Sequence, residues 1–173
     1  YYCILEAARL AAALGHKRIS VIEMGVAGGN GLVEIEKICD RLGEVLDIEY
    51  DIYGFDTGAG LPKPRDYRDA PYLWQEGFFA MDQDALKKRL HRSELVLGDI
   101  ADTIGPFLAK KNLAPIGCIM FDLDYYSSTK SAFEIFNSTR LEVYLPRIQC
   151  YFDDLSTIES VGVRAALSEF NAA

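Results

Sequence analysis

The chain has 173 residues, half of them hydrophobic, and a formal net charge of −8. That is one domain's worth of polypeptide with enough apolar material to bury a core. The acidic balance and the lack of any Lys/Arg stripe exclude an electrostatic grip on nucleic acid or on an anionic membrane, and no apolar run approaches the roughly 20 residues that cross a bilayer.

The opening residues read as a helix already under way. A β-rich apolar run follows over 19–24, and Leu32, Ile35, Ile38, Leu42 and Val45 then recur at helical spacing. A second strand-like run covers 51–55. The segment 57–81 breaks the rhythm with three prolines, three glycines, two tyrosines and the chain's one Trp, which predicts a long surface loop or lid carrying Tyr67, Tyr72, Trp74, Phe78 and Phe79. Further strands are expected over 94–97, 116–121 and 148–152, with a helix over 129–144 that keeps Ala132, Phe133, Ile135 and Phe136 on its apolar side. The chain stops at Ala173 inside another helical segment. Strands joined by crossover helices pair in parallel and wind right-handed. The expectation is therefore a single α/β domain over 1–173: a Rossmann-like, doubly wound, mostly parallel sheet with helices on both faces.

Cys3, Cys39, Cys118 and Cys150 form no CxxC pair and lie mostly in apolar segments, so free core thiols are expected. With no signal peptide apparent, the cytoplasm is the expected compartment. His16 and His91 stand in charge-rich, helix-like surroundings and read as surface residues.

The first strand runs into VIEMGVAGGNG, with four glycines in the seven residues Gly25 to Gly31 and an acid, Glu23, just ahead. Bare backbone between a strand and its helix lets a ligand approach the free N–H groups of the helix start. The spacing fits neither the dinucleotide fingerprint nor a P-loop, because Ala27 and Asn30 stand where glycines belong and no Lys-Ser or Lys-Thr pair follows. The next strands end in acids: Asp56, Asp99, Asp122 with Asp124, and Asp153 with Asp154. Taken singly, each suits turn solvation, and Ser127, Ser128 and Thr129 look like helix caps. In a doubly wound sheet, however, every carboxyl end lies on one edge, and the crevice opens between strands one and four. Asp56 is then placed for a ribose diol. The paired acids either raise one another's pKa or hold a hard divalent ion such as Mg²⁺ or Ca²⁺.

In their order, VIEMGVAGGNG, YGFDTGAGLP, WQEGFF, LVLGDIADT, FDLDYYSST and FDD resemble the class I S-adenosylmethionine-dependent methyltransferases, specifically the macrocin O-methyltransferase (TylF/MycF-like) group, over nearly the whole chain. The resemblance implies methyl transfer to a small-molecule hydroxyl, on a sugar or natural product. It implies that Glu23, Gly25, Val26, Ala27 and Gly29 hold the methionine part of S-adenosylmethionine, Asp56 and Thr57 the ribose, and Gly98 and Asp99 the adenine side, with Asp122 also at the cofactor. It further implies Mg²⁺ on Asp122, Asp124, Asp153 and Asp154, Asp122 or Asp124 as general base, a homodimer, and two further strands beyond the fifth. The family's Pro-Gly-Gly turn before strand five is replaced here by Leu145-Pro146-Arg147. A non-catalytic or NAD-binding Rossmann-like protein is the alternative reading.

Overall fold

The computed structural model describes residues 1–155 and 158–172. Strands β1 (Arg18–Met24), β2 (Glu49–Asp56), β3 (Glu94–Leu97), β4 (Ile116–Phe121) and β5 (Tyr144–Phe152) form one parallel sheet in the order β3-β2-β1-β4-β5. Helices α1 (Tyr2–Ala13), α2 (Asn30–Leu46), α3 (Gln83–Lys87), α4 (Ile100–Leu108), α5 (Tyr126–Ala132) and α6 (Gly162–Ala172) lead into, connect and follow these strands. The winding leaves β1 through β2 and β3, then returns to β4 and β5 on the other side. The switch point falls between β1 and β4, where the sequence places it.

Alternation along each strand divides the core in two. Ile19 and Val21 join Ile4, Ala7 and Ala11 of α1 and Leu32 and Ile35 of α2 on one face. Ile22 and Met24 join Ile104 and Phe107 of α4, Tyr126 of α5 and Ala165 of α6 on the other. Each buried Ile, Val, Leu, Met or Phe among them contributes roughly 1.5–3 kcal/mol. The result is a Rossmann-like sheet covered on both faces. All four cysteines are free, Cys39 and Cys118 are buried, and burial pushes the Cys39 thiol up to about 12. His91 is exposed and His16 half-buried.

Three local expectations need correction. The helix expected over 129–144 is only α5, starting earlier at Tyr126, followed by short 3-10 turns at Phe133–Phe136 and Leu141–Val143. The polar run from Asn137 to Arg140 is bent by other partners: the Tyr144 hydroxyl donates to the Ile135 carbonyl and accepts from the Ser138 N–H, and Arg140 reaches the carbonyls of Leu108 and Lys110. Strand β5 consequently begins at Tyr144, four residues before the predicted start at 148. Val45 is 78% exposed, because the apolar stripe of α2 leaves the body in its last turn. Ser127, Ser128 and Thr129 do not cap α5; the cap position is Tyr125, and Ser127 serves another partner described below. Ala173, where the sequence reading ends in a helix, lies outside the described residues.

Glu36 of α2 fixes the entry to β3. Only 2% exposed, its carboxylate accepts from the N–H groups of His91, Arg92 and Ser93 and from the Ser93 hydroxyl. Burial alone would raise its pKa, but these donors outweigh it and hold the group below its ordinary value. Glu36→Ala strands three backbone donors, so urea unfolding is expected to show a loss of roughly 2–3 kcal/mol.

Candidate functional site

The carboxyl end of β1 is bonded to β4 on one side and to β2 on the other. Asp122 N–H donates to the Met24 carbonyl at 2.8 Å, and Gly25 N–H to the Phe55 carbonyl at 2.9 Å. A Cβ on Gly25 would stand 1.7 Å from the Asp122 carbonyl oxygen, and its φ is +91°, so no other residue fits. The glycine turn beyond it is held by Asp56. One carboxylate oxygen accepts from Val26 N–H and Ala27 N–H, both at 2.9 Å, and the other from Gly58 N–H at 2.7 Å. Asp56 therefore braces the turn as well as offering its remaining lone pairs to a ligand. Gly29, with φ +75°, precedes α2 against Leu86, and the Val26 side chain is buried.

Glu23 sits beneath this turn, 7% exposed, with Oε1 against Gly31 in the first turn of α2. Its Oε2 is buried without a hydrogen-bond partner. Burial, then the charges of Asp122 and Asp56, push the carboxyl up to about 8. An unsatisfied buried carboxylate at a glycine turn suits a ligand that brings a cationic donor.

One cavity of about 280 Å³ opens over this rim, lined among others by Gly25, Ala27, Asp56, Thr57, Gly98, Asp99, Asp122, Asp124 and Asp154. The sequence-predicted acids thus converge, except Asp153, which lies outside the lining and accepts from the Tyr151 hydroxyl at 3.3 Å. Glu23, Val26 and Gly29 likewise support the cavity from behind rather than line it. Thr57 donates its hydroxyl to the Gly60 carbonyl at 2.6 Å. Asp99 starts α4, accepting from Ala101 N–H at 2.9 Å, and its other oxygen stands 3.7 Å from Arg65.

Asp122 is open to the cavity but walled by protein elsewhere. That partial desolvation, then the charges of Asp153 and Asp154, raise it to about 6. Asp124 is raised too, by burial first and then by its shared hydrogen bond with Asp154. Asp124 and Asp154 both hold left-handed backbone, with φ 56° and 52°. Hard carboxylate oxygens crowded in this way match the chemistry of Mg²⁺. Among the described residues, however, no three His, Cys, Asp or Glu side chains form a group that would hold a metal ion as they stand.

The 57–81 segment is anchored at two places that the sequence did not reveal. Its neck is closed by Leu61 N–H to the Phe78 carbonyl and Gly77 N–H to the Leu61 carbonyl, both 2.8 Å. Its tip carries Asp69, fully buried, which accepts from Arg65 N–H and from the N–H and hydroxyl of Ser127 at the start of α5. A lone Asp in a polar loop carries no periodic signal; the preceding Asp66, spaced as a turn cap, was the available hint. Anchored so, the loop sets Leu61, Pro62, Trp74 and Phe79 along the cavity wall, with the Trp74 and Phe79 rings 5.7 Å apart.

No family model and no curated relative matches the chain. Among solved structures it is similar to CalS11, a calicheamicin methyltransferase, with 26% identity and a TM-score of 0.73 over 96% of this chain and 68% of that one. An apo structure of CalS11, described as a TDP-rhamnose 3'-O-methyltransferase, matches at 24% identity and TM-score 0.60 over 96% and 68%. The O-methyltransferase NovP matches at 15% identity and TM-score 0.69 over 98% and 69%. The fold is that of Rossmann-like methyltransferases.

Glu23 gives this site a pH signature. Its folded pKa, about 8, lies above the unfolded carboxylate value, so its stabilisation is complete below about pH 4.5 and lost as pH rises towards 8. Glu23→Gln keeps the shape without the titration. Its melting temperature relative to the parent is expected to climb steadily between about pH 5 and pH 8, measured by calorimetry of the ligand-free protein.

Proposed function

We propose that the chain is an S-adenosylmethionine-dependent O-methyltransferase of the macrocin O-methyltransferase kind, acting on a hydroxyl of a small molecule and assisted by Mg²⁺. One observation carries this reading: the glycine turn, the acid closing β2, the acid opening α4 and the acid-tipped ends of β4 and β5 share a single cavity. The likeness in fold to O-methyltransferases supports it.

In this account the turn at Gly25, Val26 and Ala27, backed by Gly29 and by the orphaned Glu23 carboxylate, holds the methionine part of the cofactor. Asp56 and Thr57 take the ribose, and Gly98 and Asp99 the adenine side. When bound, the cofactor supplies an electrophilic methyl group on a sulfonium. Asp122, Asp124 and Asp154, with Asp153 behind them, would hold Mg²⁺, which lowers the pKa of a bound hydroxyl. The protein's own work is orientation, exclusion of water by the Trp74–Phe79 wall, and removal of the acceptor's proton. Asp122 or Asp124, whichever does not bind the ion, suits that last role, since both line the cavity beyond the end of β4. No covalent enzyme nucleophile is required, which agrees with both histidines lying outside the cavity lining.

Isothermal titration tests the reading directly. S-adenosylhomocysteine is expected to bind and NAD not to. A separate Mg²⁺ titration is expected to give binding that Asp154→Asn weakens by at least about tenfold while leaving S-adenosylhomocysteine affinity within about threefold. Binding of NAD with none of S-adenosylhomocysteine overturns the assignment; cofactor binding with no Mg²⁺ binding removes only the metal.

A further inference from the structure

Helix α3 crosses the back of the two loops that Asp56 braces from the cavity side. Gln83, Leu86 and Arg89 recur every three residues and so share one face of the helix and of the turn that ends it. Each rests on a glycine. A Cβ at Gly58, just after β2, would stand 2.7 Å from the Gln83 side-chain nitrogen, and one at Gly29 would stand 2.1 Å from the side chain of Leu86, which is 1% exposed. Arg89 reaches further: its guanidinium donates to the Gly28 carbonyl at 2.8 Å and to the Asn30 side-chain oxygen at 2.7 Å. None of the three lines the cavity.

The Arg89 contact is misplaced for helix stability. A cation beside the first turn of α2 meets the positive end of the helix dipole, and that helix has no side-chain cap for it to support. What the guanidinium holds is the outer wall of the glycine turn. Within that turn Ala27 lines the cavity with left-handed backbone, φ 46°, a conformation that an alanine keeps only where its surroundings enforce it. Asp56 enforces it from the cavity side by accepting the N–H groups of Val26 and Ala27, and Arg89 from the outer side by fixing the carbonyl of Gly28. Asp56 also accepts from Gly58 N–H, so the two loops are tied to each other on both sides. Arg89 is itself placed by Glu36 of α2, which binds the N–H groups of His91, Arg92 and Ser93.

We infer that Arg89 is a positioning residue for the cofactor: through Gly28 and Asn30 it holds the glycine turn in the shape that receives the methionine part, while Gln83 and Leu86 keep that turn in register with the loop after β2. This rests on the methyltransferase reading, which places S-adenosylmethionine at that turn. Arg89 acts from outside the cavity and touches no ligand.

Titration calorimetry of the full chain with S-adenosylhomocysteine compares Arg89→Ala, Arg89→Lys and Lys88→Ala. Lys88 is the exposed neighbour and carries the same charge. Arg89→Ala is expected to bind at least about tenfold more weakly than the parent and Lys88→Ala within about twofold of it. Arg89→Lys is expected in between, because one ammonium replaces a fork that serves two acceptors. An Arg89→Ala affinity within about twofold of the parent, or an equal loss in Lys88→Ala, overturns the inference. Amide exchange of the ligand-free proteins separates positioning from general stability. The hydrogen-bonded amides of Val26, Ala27 and Gly29 are expected to exchange at least about fivefold faster in Arg89→Ala, with those of β1 unchanged. Faster exchange throughout the chain, or unchanged exchange in the turn, overturns the inference. Failure of the parent to bind S-adenosylhomocysteine removes the methyltransferase reading instead, and the exchange comparison still decides whether Arg89 holds the turn.

Discussion

Everything at this site depends on how closely β1 and β4 meet at their carboxyl ends. The Asp122 carbonyl occupies the space where a side chain of residue 25 would begin, and the Asp122 N–H bonds back to Met24. Adjacent parallel strands normally diverge into their separate crossover helices at this point. Here the glycine leaves room for the Asp122 carbonyl, so the chain can turn away on both sides of a shared floor. The turn to α2 opens on one side and the acid-bearing loop to α5 on the other.

From that floor the electrostatics follow. Aspartates at the ends of neighbouring strands are brought within interaction range, and like charges in a partly desolvated cleft raise one another's proton affinity. The protein offsets part of this cost with backbone donors: Asp56 holds the glycine turn, Asp99 starts α4, and Asp69 pins the long loop to α5. Glu23, Asp122 and Asp124 are left without such compensation, and they are the groups whose proton affinity rises most among the carboxylates. Carboxylates left uncompensated beneath a glycine turn are where a cationic cofactor and a divalent ion gain most.

Much of this was readable from sequence because it depends on period and order. Alternating strand and helix runs predicted the parallel sheet, its strand order at the switch point and the edge on which Asp56, Asp99, Asp122 and Asp124 gather. What depends on single long-range contacts was not readable. The truncation of the expected 129–144 helix follows from the Tyr144 hydroxyl and the Arg140 guanidinium reaching carbonyls in other turns. The anchoring of the 57–81 loop follows from Asp69 finding Ser127, some 58 residues away in sequence. Asp153 and Asp154 are adjacent in sequence, yet only Asp154 lines the cavity, because its left-handed backbone turns the chain after β5.

The most direct test of the shared floor compares Gly25→Ala with Gly28→Ala in S-adenosylhomocysteine affinity. A Cβ at Gly28 meets nothing within 4 Å, whereas one at Gly25 collides with the Asp122 backbone. The account predicts that Gly28→Ala binds S-adenosylhomocysteine within about threefold of the parent while Gly25→Ala loses at least about a hundredfold, roughly 2.7 kcal/mol. Equal affinity in the two variants would contradict it.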